Sequence, residues 1–185
     1  MKNPKLAGRY AGALFAFSLE NNQLESVYQD VLTIKNTFKG NADLRVVLES
    51  PVIYPAKKNA IFAELFKNHL SKITFCFIRL MIAKKREPSL IAICDQFIQI
   101  YYDHHHIKVA KIVTAQPMSE SLTQKIKVLL EEETHCSIRL EPAVNANLIG
   151  GLLVKIDDFI IDNTILAQIN KLKNQFSQNA YKAGF

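Results

Sequence analysis

The chain has 185 residues, of which 49% are hydrophobic and 22% charged, and its formal net charge is +6. That is enough apolar material to bury the core of one large domain or two small ones, which excludes an intrinsically disordered chain. Lysine and arginine are scattered, and only Lys84-Lys85-Arg86 forms a run, a pattern that reads first as a solvated basic surface and second as a surface for an anionic partner. The three cysteines, Cys76, Cys94 and Cys136, are far apart and form no CxxC pair. Neither a zinc site nor a redox motif is supported, and a reducing compartment is expected. The most apolar stretch, Ile73 to Ala83, contains Arg79 and is too short to cross a bilayer. The Met-Lys-Asn-Pro start runs into an amphipathic pattern with no cleavage-site signature. Direct membrane insertion is therefore not expected.

Apolar residues keep helical spacing up to about His105. A first helix is expected from Pro4 to Leu19. A second carries Leu24, Val27, Tyr28, Val31, Ile34 and Phe38 on one stripe and stops at Gly40. A short third helix starts at Asn41 or Asp43 and reaches Pro51. Pro55 opens a fourth, because its fixed φ and missing N–H suit a first helical turn. The fifth runs from Ile73 to Lys85 and ends before Pro88, and the sixth aligns Leu90, Ile93, Cys94, Phe97 and Tyr101. Beyond this point strand-like alternation sets in. Ile107, Val109 and Ile112-Val113 mark one strand, and Ser119 caps a helix bearing Leu122, Ile126, Leu129 and Leu130. Ile138 and Leu140 mark a second strand. Leu152, Val154 and Ile156 then turn at Asp157-Asp158 into Phe159-Ile160-Ile161, and a last helix holds Ile165, Ile169, Leu172 and Phe176. The fold class expected is α+β. A six-helix bundle over residues 1–105 precedes a small α/β domain over 106–178 with a short mixed sheet and two helices, and 179–185 form a polar tail.

Little in the chain points to catalysis. His104-His105-His106 lacks a third ligand nearby in sequence and falls where a helix ends, a favourable place for histidine. Gly150-Gly151 is followed by a strand and not a helix, so it reads as a structural turn and not as a phosphate cradle. Asp157, Asp158 and Asp162 lie together, but adjacent aspartates at a turn are ordinary turn formers. No metal ligand set, cofactor motif or nucleophile–base pair is expected.

The first helix is more informative. Leu6, Tyr10, Leu14 and Phe17 share one side and Phe15 and Leu19 the other, so its apolar arc spans roughly 240°, more than one core-facing stripe requires. The fifth helix is similar, with little polar face between Ile73 and Ile82. One reading makes the fifth helix the fully buried centre of the bundle. The sharper reading leaves one side of the first helix, with the fifth beside it, for a partner helix to cover. On that reading the small residues Ala7, Gly8, Ala11 and Gly12 allow close approach.

Four segments together carry a family resemblance. Arg9-Tyr10-Ala11-Gly12-Ala13-Leu14-Phe15 resembles the opening helix of the ATP synthase delta subunits, the bacterial counterparts of the mitochondrial oligomycin-sensitivity-conferring protein. Ser50-Pro51-Val52-Ile53 with Lys57 or Lys58 resembles that family's link between third and fourth helices. Ala110 to Ala115 with Pro117-Met118-Ser119 resembles the entry to its second domain. Leu148-Ile149-Gly150-Gly151-Leu152-Leu153-Val154 with Ile161-Asp162-Asn163-Thr164 is the most specific match. Asn145 stands where the family usually has aspartate, Asp157 where it often has glycine, and Ala83 to Arg86 is an unusual ending for the fifth helix.

The resemblance implies a non-catalytic connector of a rotary proton-translocating ATP synthase, present in one copy and without cofactor, metal or nucleic acid. It implies that the helical domain binds the N-terminal helix of an alpha subunit against the first and fifth helices, and that the second domain binds the C-terminal ends of the b subunits. The location implied is the cytoplasmic face of the bacterial cell membrane, peripheral through the complex. Tyr10, Ala11, Leu14 and Phe15, with Phe77 and Met81, are the partner-contact candidates, and Gly150 and Gly151 the structural-turn candidates. The alternative function is a basic, RNA-binding helical module of the antitermination type. It would use Lys2, Lys5 and Arg9 and leaves the α/β half unexplained.

Overall fold

Six α-helices occupy the N-terminal part of the structure, a computed structural model that describes residues 4–50, 52–67, 70–146, 148–157 and 159–179. They are α1 (Pro4–Glu20), α2 (Leu24–Gly40), α3 (Ala42–Glu49), α4 (Pro55–Phe66), α5 (Lys72–Ala83) and α6 (Leu90–His104), with a 3-10 turn at Glu87–Ser89. The chain divides into two compact units, Met1–His104 and His105–Phe185. Pro51, Asp158 and residues 180–185 of the expected tail lie outside the described residues.

The helix ends follow from local chemistry. Pro55 occupies the first turn of α4, as its geometry requires. Asn41 precedes α3 but turns its amide back to donate to the Thr37 carbonyl at 2.9 Å, so its side chain does not cap α3. The fifth helix stops at Ala83, two residues before the expected Lys85. Lys85 is in the left-handed region, with φ +55. Arg86 N–H donates to the Met81 carbonyl at 2.8 Å and Lys85 N–H to that of Ile82 at 3.0 Å. That pair of bonds is a Schellman closure, which satisfies carbonyls the helix leaves open. α1 ends in the same way at Asn22, with φ +53.

Within the helical unit, α1 packs mainly on α6, α6 also on α2, and α5 on α4 and α2. Val27, Val31, Ile34 and Phe38 of α2, Ile93 and Phe97 of α6, and Ile78, Met81 and Ile82 of α5 are all buried, each side chain worth about 1.5–3 kcal/mol relative to exposure. Tyr28 and Tyr101 stack at 3.9 Å, and the Tyr101 hydroxyl donates to Glu25 Oε2 at 2.6 Å, tying α6 to α2. Two polar clamps flank α5. Both the N–H and the hydroxyl of Ser71 donate to Asp30 Oδ2, at 2.9 and 2.6 Å. Ser71 Oγ also accepts from Thr74 N–H at the first turn. Just past the other end, buried Lys58 Nζ donates to Glu87 Oε1 at 2.6 Å and to the Leu48 carbonyl at 2.8 Å.

The second unit contains β1 (Ile107–Thr114), α7 (Glu120–Thr134), β2 (Ser137–Val144), β3 (Gly151–Ile156), β4 (Phe159–Thr164) and α8 (Ile165–Asn179). Ser119 caps α7, accepting from Leu122 N–H. The sheet order is β2-β1-β3-β4. β1 and β2 are parallel, joined through α7, whereas β1–β3 and β3–β4 are antiparallel. Ala110, Ile112, Ile138, Val154 and Ile156 form the buried face, with Ile126 and Leu130 of α7 against it. The turn after β3 begins at Asp157, φ +49, a conformation that asparagine and aspartate tolerate better than other non-glycine residues. Ile156 pairs with Phe159, so β3 and β4 run antiparallel as neighbouring strands.

Gly151 opens β3 with φ +84 opposite Thr164, and a Cβ there would overlap the carbonyl oxygen of Asn163. At Gly150 a Cβ would meet only the end of the Ile165 side chain, at 2.7 Å. Gly151→Ala is expected to cost at least ~1–2 kcal/mol from its backbone conformation alone, before the overlap is counted. Gly150→Ala costs less, because Ile165 can change rotamer. Denaturant unfolding of the two variants checks the order.

Candidate docking groove

α1 buries Ala7, Ala11, Leu14 and Ser18, a stripe at spacings of four, three and four. Offset from it, Tyr10, Ala13 and Phe17 face a different way, with Leu14 at the border. α5 repeats the arrangement. Thr74, Ile78, Met81 and Ile82 are buried, while Ile73, Cys76, Phe77 and Leu80 form a second apolar stripe rotated by about one residue, or ~100°. The two outer stripes face each other across a groove of about 390 Å3 lined by Tyr10, Ala13, Leu14, Phe17, Ile73, Cys76, Phe77 and Leu80. Phe17 is 52% and Leu80 47% exposed. α5 is therefore not a fully buried central helix.

The six partner-contact candidates separate three ways. Tyr10, Leu14 and Phe77 line the groove. Ala11 and Met81 do not, because both are fully buried in the core, where each completes the inward stripe of its helix. Phe15 lies on another side of α1, its ring 6.1 Å from Phe97 and 5.3 Å from His104. The four small residues of α1 divide into two pairs. Ala7 and Ala11 are buried, and nothing lies within 4 Å of a Cβ built at Gly8 or Gly12. Ala13, Phe17, Ile73, Cys76 and Leu80 belong to the groove and were not among the candidates. The i, i+3, i+4, i+7 spacing of Ile73, Cys76, Phe77 and Leu80 is the signal that finds the α5 members.

A second apolar surface lies in the α/β unit. Ile165, Leu166, Ile169, Leu172 and Phe176 of α8 are all exposed, as are Phe159, Ile160 and Ile161 of the edge strand β4, with Phe159 at 75% and Phe176 at 73%. The sequence signal for an outward surface is Phe159-Ile160-Ile161, since three consecutive large apolar residues on a strand must place one on each face. Among the described residues no group of three or more His, Cys, Asp or Glu is placed to hold a metal ion. No helix there is long and apolar enough to cross a membrane.

Residues 6–176 match the family model described as ATP synthase delta (OSCP) subunit. The chain belongs to that family. It is similar to the ATP synthase subunit delta of Salinibacter ruber, at 34% identity over all of both chains. It is also similar to those of Amoebophilus asiaticus, at 32% over 97% of this chain and 98% of that one, and Cytophaga hutchinsonii, at 30% over 96% and 97%. A chain of the cryo-EM structure of the Toxoplasma gondii mitochondrial ATP synthase hexamer shares the fold, with a TM-score of 0.72 at 22% identity, covering 92% of this chain and 97% of that one. As a delta (OSCP) family member the chain is a non-catalytic component of the ATP synthase stator, its peripheral stalk. The RNA-binding alternative finds no support, and the family match spans the α/β half which that reading left unexplained.

The delta-family groove contains an internal chemical reporter. Cys76 is exposed within it. Cys94 is buried on α6, and burial, with the Asp95 carboxylate beside it, pushes its thiol up to about 12. Only the thiolate is nucleophilic, so at pH 8 about one Cys94 in ten thousand is reactive even before access is considered. Alkylation at pH 8 followed by mass spectrometry is expected to modify Cys76 rapidly. Cys94 should stay unmodified from pH 7 to 9 and react only after unfolding.

Proposed function

We propose that this protein joins the catalytic head to the peripheral stalk through two docking surfaces, one on each unit. The helical unit acts as a six-helix bundle capping the head, and the N-terminal helix of an alpha subunit seats in the groove between α1 and α5. The α/β unit takes the C-terminal ends of the b subunits on the patch made by β4 and α8. One copy serves each complex, held peripherally at the cytoplasmic face of the bacterial membrane. The task is mechanical, since the connection must hold the head against the torque of the rotor.

The observation that carries this reading is the second apolar stripe on α5 facing that of α1. A stripe left uncovered by its own chain is stabilised when an amphipathic helix removes it from water. The aromatic and leucine side chains there are the residue types that act as anchors in such grooves.

Calorimetric titration of the full chain with the first ~20 residues of the cognate alpha subunit, about five helical turns, is expected to give saturable one-to-one binding with a negative heat-capacity change. Phe77→Ala should weaken it by about 2 kcal/mol, and bound peptide should shield Cys76 from alkylation. Absence of binding at about 100 μM peptide, an affinity too weak for a stable joint, would remove the groove from the function.

For the other surface, Leu172→Glu and Phe176→Glu alter exposed side chains. They should change folding stability by no more than about 0.5 kcal/mol while abolishing co-elution with a peptide spanning the C-terminal end of the b chain. Retained co-elution of both variants would move the stalk contact elsewhere.

A further inference from the structure

The apolar groove does not end in neutral surface. At the N-terminal end of α1 it runs into a second depression of about 510 Å3, lined by Lys5, Leu6, Arg9, Tyr10, Ala13 and Arg86. Tyr10 and Ala13 border both, so the two depressions form one continuous surface. Arg86 follows α5 directly after its Schellman closure, which brings a cation from the end of α5 beside two from the start of α1. Lys5, Arg9 and Arg86 are all exposed. Among the described residues none of the three side chains has a carboxylate within ion-pair distance, and the first turn of α1 contains no acidic residue. The positive end of the α1 dipole adds to the same field.

We infer that the surface is built for an amphipathic helix whose apolar stripe fills the groove and whose end over Lys5, Arg9 and Arg86 carries carboxylate side chains. The inference rests on the groove reading above and adds to it the charge and register of the occupant. The groove proper is apolar apart from the Tyr10 hydroxyl and the Cys76 thiol, so it gives a sliding helix no strong preference between positions one turn apart. A basic cluster at one end supplies that preference, because a misregistered helix leaves its carboxylates over apolar surface. Charge complementarity at a rim also speeds encounter and makes affinity depend on salt, since exposed charges are screened over about 10 Å at 0.1 M ionic strength.

The test uses the full chain, the N-terminal peptide of the alpha chain as probe, and the triple variant Lys5→Gln, Arg9→Gln, Arg86→Gln. Dissociation constants are measured at low and high salt. The wild type is expected to bind several-fold more weakly at high salt. The triple variant should lose about fivefold to twentyfold in affinity at low salt, in line with a few exposed ion pairs, and should lose most of the salt dependence. Phe77→Ala, by contrast, should weaken binding while keeping the wild-type salt dependence. If the peptide binds and Phe77→Ala weakens it, but the triple variant matches the wild type at every salt concentration, the acidic-end inference is wrong and the groove reading survives. If the peptide fails to bind the wild type at all, both fall. Thermal unfolding of the triple variant should match the wild type, because its three exposed cations pair with no carboxylate among the described residues.

Discussion

Helix α5 has to be held in place by something other than its apolar residues. It carries two apolar stripes about one residue apart, one against the core and one against the groove, and burial alone would accept a rotation that exchanges them. The Asp30–Ser71 clamp at its start opposes that rotation. Asp30 accepts from both donors of Ser71 at the start of the helix, a place where a carboxylate also meets the favourable end of the dipole. Beyond its far end the buried Lys58–Glu87 pair, anchored to the Leu48 carbonyl, secures the 3-10 turn. For a buried pair of this kind the desolvation penalty offsets much of the attraction, so it is weak evidence for net stability. The groove exists because α5 presents the Ile73, Cys76, Phe77 and Leu80 stripe outward and nothing else.

The α/β unit uses a different arrangement for a similar end. Its core is small and sits between one sheet face and α7, and α8 follows β4 with no buried residue among those described. A helix of this length is marginal on its own in water, and α8 has little burial of its own to support it. Both units thus leave apolar side chains exposed in the described chain. On the function proposed above, these are the surfaces where a stator component would gain binding energy.

In the docking proposed above, the groove and its basic end would divide labour in a way common at interfaces. Apolar contact would supply affinity, since desolvation of aromatic and aliphatic side chains is favourable in any register, and exposed charge would supply direction and register at small energetic cost. Placing Lys5, Arg9 and Arg86 outside the apolar lining avoids burying an unpaired ion.

Local rules in the sequence determined the elements: Pro55 opening a helix, Ser119 capping another, helical spacing giving way to alternation near residue 105, and Gly151 at a backbone position closed to other residues. These rest on interactions between near neighbours, so they are legible in any window of the chain. The extra apolar width of α1 and α5 was legible in the same way, and residues of these two helices line the apolar groove. Which residue on each helix faces out was decided only by the tertiary structure. Ala11 and Met81 went inward, Phe15 turned to Phe97 and His104, and the regular stripe of α8, indistinguishable from a core face in sequence, was left bare. The hydrophobic effect is non-directional and rewards removal from water without regard to the cover. Periodicity therefore identifies an apolar face, and only the packed chain shows whether its own helices cover that face.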